Sequence, residues 1–344
     1  MGDSATPFIP PPALDRAARE VLARYPVFLR QSSPQSLGNR GGFSGARLWR
    51  IEAGVGAFCL RAWPSHETLP RVHYRHALTA RGRSHGLHFV PALLPASDGG
   101  TAVGQAGRWW EVAEWLPGRA DYHERPSRPR LEEACRALAR LHGAWEGLAE
   151  PTPAPCPAVA RRLECLREWR ELLRTGWHLL TAADRTDPLR PLAERAWRLL
   201  ERRADAVPER LRPWAARPWR LQPCLCDLWH DHLLYEGERL TGLVDYGSVK
   251  VDHPAVDVAR LLGSLVTDDA AGWSAGLRAY REVRPLAEDE ADLARALDET
   301  GAVLGVANWL RWLYAERREF DDRAAAGRRL AALVERVEEW EKPL

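Results

Sequence analysis

Two carboxylates in the stretch Pro223 to Leu262, PCLCDLWHDHLLYEGERLTGLVDYGSVKVDHPAVDVARLL, have the type and spacing to do chemistry. Asp227 lies in a loop dense in His and Asp, and Asp245 follows an apolar strand and precedes Tyr246-Gly247. A strand that ends in an acid presents an oxygen ligand to a hard cation such as Mg2+. The first acid is then available to take a proton from a nucleophile. Phosphoryl transfer uses that division of labour. The sequence places a β-hairpin between the two acids, and the reaction also needs a scaffold that presents a nucleotide.

The elements upstream suit such a scaffold. Leu14 to Tyr25 reads as a helix. In LGNRGGFSGARLWRIEAGVGAFCLRAW a Gly-rich loop leads into two alternating strands. Phe58, Leu60 and Ala62 share one face, and Cys59, Arg61 and Trp63 the other. Residues 69–86 read as a helix without an acid. The segment PALLPASDGGTAVGQAGRWWEVAEWLPG reads as three strands, and Pro117-Gly118 is a natural break. Beyond it the chain turns helical, with Leu131, Cys135, Leu138, Leu141 and Trp145 at helical spacing. Residues 158–220 suggest two or three amphipathic helices, and 253–344 further helices, with Asp252 as cap and Pro254 in the first turn. The fold class is therefore α+β, with a small β-rich half and a larger helical half.

The chain has 344 residues and a formal net charge of +2, so it has room for a sizeable core and no general attraction to nucleic acid or an anionic membrane. No apolar run reaches transmembrane length. The start, MGDSATPFIPPPAL, lacks a secretory pattern, although Gly2 and Thr6 match the loose myristoylation motif. Six scattered cysteines fit neither a disulfide framework nor a zinc spacing, and the simplest setting is a reducing cytoplasm. A transition-metal site built from Cys224, Cys226, His230, Asp231 and His232 is weakened by the C-x-C spacing. Lys occurs only at 250 and 342, so any cationic role earlier in the chain falls to Arg.

Residues 37 to 310 resemble the aminoglycoside phosphotransferase and choline kinase-like family, which has a two-lobed protein-kinase-like fold. The strongest part is CDLWHDHLLYEGERLTGLVDYGSVKVDHPAVDVARLL, set against a family pattern of H-G-D-x-x-x-x-N, hairpin, D-F-G-like tripeptide and D-P-A-x-D-L-A. GGFSGARLWRI, EWLPG and ALARLHGAW are similar to its nucleotide loop, hinge and post-hinge helix. The resemblance implies residues 1–36 as an N-terminal extension, 37–116 as a nucleotide-binding lobe, and 117–344 as a helical lobe with the catalytic loop and acceptor site.

It further implies that ATP and Mg2+ are used and that a hydroxyl (or amine) of a small molecule is the phosphate acceptor. Asp227 is then the base and Asp245 the Mg2+ ligand. Gly41 and Gly42 offer backbone N–H groups to the phosphates, and Ala113 to Trp115 offer backbone groups to adenine. Arg61 stands where the family has a strand Lys, with Glu67 as a candidate partner. Leu225 and Cys226 stand for the family's His and Gly. His232 stands for its Asn and suits a softer ion such as Mn2+ better than Mg2+. Trp169, Trp177, Trp214, Trp219, Trp309 and Trp312 fall in the acceptor region but read first as core. The departures also motivate a second reading, a nucleotide-binding module that has lost turnover.

Overall fold

The computed structural model describes residues 11–38, 45–149, 152–175, 186–320 and 322–340. The chain divides into two compact units, Met1–Trp145 with Trp229–Ser248, and Glu146–Leu228 with Val249–Leu344.

The first unit is built on an antiparallel sheet of β1 (Gln35–Gly38), β2 (Arg47–Ala53), β3 (Gly56–Ala62), β4 (Leu93–Leu94), β5 (Val103–Gln105) and β6 (Arg108–Glu114). Its order is β1-β2-β3-β6-β4, with β5 also on β6. The alternation read from the sequence sets the faces, since Phe58, Leu60 and Ala62 are all buried. Trp63, placed with the outward face, is buried as well. Helix α1 (Pro11–Leu22) begins three residues before the expected start and ends before Tyr25. Pro is tolerated in a first helical turn, where its missing N–H has no helical partner to lose. Leu14, Ala17, Ala18, Val21 and Leu22 of α1 join Trp49, Ile51, Leu60, Trp110 and Val112 in one core. The segment before residue 37 is thus part of the sheet's packing. Trp49 also donates its indole N–H to Asp15 at 2.7 Å.

Two longer helices complete this unit, α2 (Leu69–Ser84) and α3 (Arg128–Trp145). Trp145 is fully buried and donates to the Leu78 carbonyl at 2.9 Å, which ties α3 to α2. The hairpin expected between the two acids forms from β10 (Leu233–Glu236) and β11 (Arg239–Leu243). It is anchored at the Pro117-Gly118 break, where Arg119 and Tyr235 exchange backbone hydrogen bonds of 2.9 and 3.0 Å. Gly118 is required there. Its φ is +100°, and a Cβ would come within 2.9 Å of the Tyr235 carbonyl oxygen.

The second unit is mainly helical. Helix Glu288–Leu310 packs against Ala255–Leu265, Pro157–Thr175, Arg190–Arg203 and Arg323–Glu339. Two short strand pairs accompany them, β7 (Ala154–Pro155) with β8 (Pro218–Trp219), and β9 (Gln222–Cys224) with β12 (Lys250–Asp252). The second pair joins the chain just before Asp227 to the chain just after the Asp245 turn. The cap expected at Asp252 is corrected. The helix starts at Ala255 with Pro254 at its N-cap and no side-chain cap bond. Asp252 is fully buried and accepts from the backbone N–H of Ala158 at 3.2 Å and of His253 at 2.8 Å, and it is ion-paired with Arg161. A carboxylate removed from water needs such partners, and this one links a helix start to β12.

Candidate active site

Asp227 belongs to the second unit, in the loop that follows β9. Cys226, just before it, has φ +63°, in the left-handed region that favours Gly. The family's Gly at this position thus has a physical reason, and Cys226 adopts the same backbone at a cost of about 1–2 kcal/mol. The loop is held there by Asp257, which is fully buried and accepts the N–H of Leu225 and of Cys226, each at 2.7 Å. Arg260 lies one turn after Asp257 on the same helix face, and its guanidinium is ion-paired with the Asp227 carboxylate. The Asp227 side chain remains 46% exposed, so it can meet a substrate. The helix after His253-Pro254 thus braces this loop, and Arg260 escaped the sequence reading. Its signal was the spacing of Asp257 and Arg260, three residues apart on a helix.

Asp245 belongs to the first unit, in the turn after β11. It too has a left-handed backbone, with φ +66°. Asp tolerates this conformation because its carboxylate can bond its own backbone. Here Gly247 donates its N–H to Asp245 Oδ1 at 3.1 Å. Arg61 Nη1 lies 3.4 Å from Oδ1, and His232 Nε2 lies 3.8 Å from Oδ2. Loss of water around the carboxyl favours its neutral form, but Arg61, His232 and the Gly247 N–H outweigh this, and the group is held below the usual carboxylate range. An ionised, accessible carboxylate is a suitable single protein ligand for Mg2+, which keeps its remaining positions for water and phosphate. His232 sits beside it with its Nδ1 buried and without a hydrogen-bond partner. An imidazole suits a softer ion and is a poor Mg2+ ligand.

Arg61 does not pair with Glu67. Glu67 instead binds Arg75 at 2.8 Å and Arg71 at 3.3 Å. The acid beside Arg61 is Glu111, directly opposite it in the β3–β6 register, with Arg61 Nε 3.8 Å from Glu111 Oε1. Glu111 is buried and accepts from the Trp63 indole N–H and from His76 Nε2, each at 2.7 Å. Burial pushes its carboxyl up, yet the His76 bond, Arg61 and Trp63 hold it below the usual range. Arg61 and Arg75 both stack on the Trp63 ring, at 4.9 and 4.6 Å.

Gly41 and Gly42 lie outside the described residues. Ala113 sits inside the sheet, opposite Cys59 on one side and Leu93 on the other. Trp115 donates its N–H to the Ala57 carbonyl at 3.1 Å, and Glu114 donates to the Ala92 carbonyl at 2.8 Å. The N–H groups of 114 and 115 therefore serve the sheet. Trp177 is outside the described residues. Trp169, Trp214, Trp219 and Trp309 are buried, as read, and Trp312 is half-buried with Arg318 over its ring. Cys224 is buried with its thiol toward the Gln222 and Asp252 carbonyls, both at 3.5 Å. Burial raises its pKa well above the usual thiol range.

Residues 37–294 match the model of a family described as "Phosphotransferase enzyme family". The chain belongs to that family. Among curated relatives it is 29% identical to homoserine kinase of Ralstonia nicotianae over 228 residues, which cover 62% of this chain and 61% of that protein. It is 30% identical to homoserine kinase of Cupriavidus taiwanensis over 222 residues, covering 60% of each. The chain thus spans about three-fifths of the length of these relatives. Of solved structures, spectinomycin phosphotransferase in complex with ADP and spectinomycin matches with a TM-score of 0.68 at 10% identity, over 90% of this chain and 93% of the other. A choline/ethanolamine kinase family protein from Mesorhizobium loti matches with a TM-score of 0.57 at 20% identity, over 93% and 94%. These likenesses show the protein-kinase-like fold expected from the sequence. Nothing in the comparisons favours the reading without turnover. Among the described residues no helix is long and apolar enough to cross a membrane.

Proposed function

We propose that this family member moves the γ-phosphoryl group of ATP to a hydroxyl of a small molecule. The observation that supports the reading is the Asp245 turn, an ionised and accessible carboxylate oriented by Gly247 and Arg61, at the residue that the sequence resemblance matches to the family's metal-binding acid. Mg2+ bound there would draw charge from the phosphate oxygens. Asp227, oriented by Arg260 and a pinned backbone, takes the proton from the acceptor hydroxyl as its oxygen bonds to phosphorus and the bond to ADP breaks. Arg61 supplies fixed positive charge near the phosphates, and its planar fork suits their oxygens. Residues 37–116, with Gly41, Gly42, Ala113 and Trp115, belong to the nucleotide side, and residues 117–344 to the catalytic loop and acceptor side. The setting is cytoplasmic.

The acceptor follows from the relatives only as a first candidate. Homoserine, a small amino acid with a primary hydroxyl, heads the panel, followed by amino alcohols. The test is ATP turnover with that panel in Mg2+ and in Mn2+. Asp227→Asn is expected to remove transfer while leaving Mg-ADP binding intact, and Asp245→Ala to weaken Mg-ADP binding itself. Unchanged binding and turnover in Asp245→Ala would overturn the assignment.

A further inference from the structure

Helix α2 carries no acid, and Glu67, just before it, is engaged by Arg71 and Arg75. The cation on β3 is nevertheless linked to that helix. His76, in the second turn of α2, is buried. Its Nδ1 is 2.7 Å from Thr101 Oγ1, and its Nε2 is 2.7 Å from Glu111 Oε2. The Trp63 indole donates to the same oxygen, so Glu111 Oε2 is fully engaged and Oε1 is turned toward Arg61 Nε. Nη1 of the same guanidinium reaches Asp245.

From this geometry we propose that His76 is a positioning residue for nucleotide binding. It acts through Glu111, fixing the carboxylate that sets the direction of Arg61. The helix thereby controls the phosphate-facing cation through a hydrogen-bonded imidazole and a strand-borne acid, with no direct ion pair from helix to cation. This rests on the phosphotransferase reading, because Arg61 must face a nucleotide. Trp63 has a double part, as a donor to Glu111 and as the surface on which Arg61 lies. The arrangement needs a cross-strand acid, an indole donor and a helix imidazole together, and each is buried.

The test is calorimetric titration of Mg-ADP into the full chain, with acceptor KM read separately. His76→Leu is expected to weaken ADP binding about tenfold and to leave acceptor KM within about twofold. His76→Gln, whose amide can still donate to Glu111, is expected to recover most of the affinity. In an Arg61→Gln background His76→Leu should add little, since a purely structural role for His76 would add its own full loss. Thr101→Val, which removes only the bond to Nδ1, is expected to weaken binding about threefold and serves if His76→Leu fails to fold. Unchanged ADP affinity in His76→Leu or, where that variant does not fold, in Thr101→Val overturns the inference. So does full additivity with Arg61→Gln. Absence of ADP binding in the wild-type chain would instead overturn the nucleotide reading beneath it.

Discussion

The two acids proposed to carry the chemistry are held in opposite ways. Asp227 follows a left-handed Cys226 and Asp245 is itself left-handed, so each acid is presented by an unusual turn. The first turn is clamped through its backbone, with two N–H groups bound by the buried Asp257. The second is set largely by side chains, with the Arg61 guanidinium and the His232 imidazole around a carboxylate that is 48% exposed. A backbone clamp is part of the core and is insensitive to what binds. A charge array can rearrange when a nucleotide and a cation arrive. The contrast suits a fixed base and an adaptable metal ligand.

Removing the clamp is the largest perturbation. Asp257→Ala leaves the buried Leu225 N–H and the partly buried Cys226 N–H without their acceptor, at about 1–3 kcal/mol each. A loss of about 4 kcal/mol is expected in urea unfolding. A loss below about 1 kcal/mol would show that the backbone of the Asp227 loop is not held as described. Chemical activity should fall with stability, because Leu225 and Cys226 lead directly into Asp227.

The charge array answers to pH, and the sign is determined. Glu111 and Asp245 both have folded-state pKa values below the usual carboxylate range. Their contribution is therefore fully present above the unfolded values, near about 4. It is lost as pH falls through the lower folded values. Stability of the wild-type chain should drop below about pH 4, and Glu111→Gln should show a shallower drop. At neutral pH Glu111→Gln is expected to cost about 1–2 kcal/mol, the scale of one charge-assisted hydrogen bond. Urea midpoints across the acid range measure both effects, and parallel curves for the two proteins would break the assignment of this slope to Glu111.

What could be read in advance divides along the same line. The acids, the hairpin and the substitution of Arg61 are local in sequence, and motif spacing revealed them. The face alternation of β3 was legible because burial follows a period of two. Glu111 was missed because its role depends on which residue of β6 lies across from Arg61, and register is not a property of either strand alone. Glu67 looked closer along the chain, yet neighbouring arginines on α2 had claimed it. Asp252 read as a helix cap, since Asp before Pro is a common start signal, but its burial assigned it to other partners, Ala158, His253, Arg161 and the Cys156 thiol. The left-handed backbone at Cys226 was foreshadowed only by the family's Gly there.

That residue offers the smallest and most discriminating perturbation. Cys226→Gly relieves a left-handed conformation worth about 1–2 kcal/mol. It also frees the unfolded chain, which returns about 0.4–1 kcal/mol of the gain. Cys226 is only partly exposed, so the loss of its side chain also removes some packing. The expected result is a gain of about 0.5 kcal/mol in urea unfolding, with kcat unchanged within about twofold. If the thiol had a role of its own, kcat would fall although the backbone was relaxed. A gain in stability with kcat preserved would separate the two features of the Asp227 loop, a geometry imposed by Asp257 and a side chain at 226 that merely tolerates it.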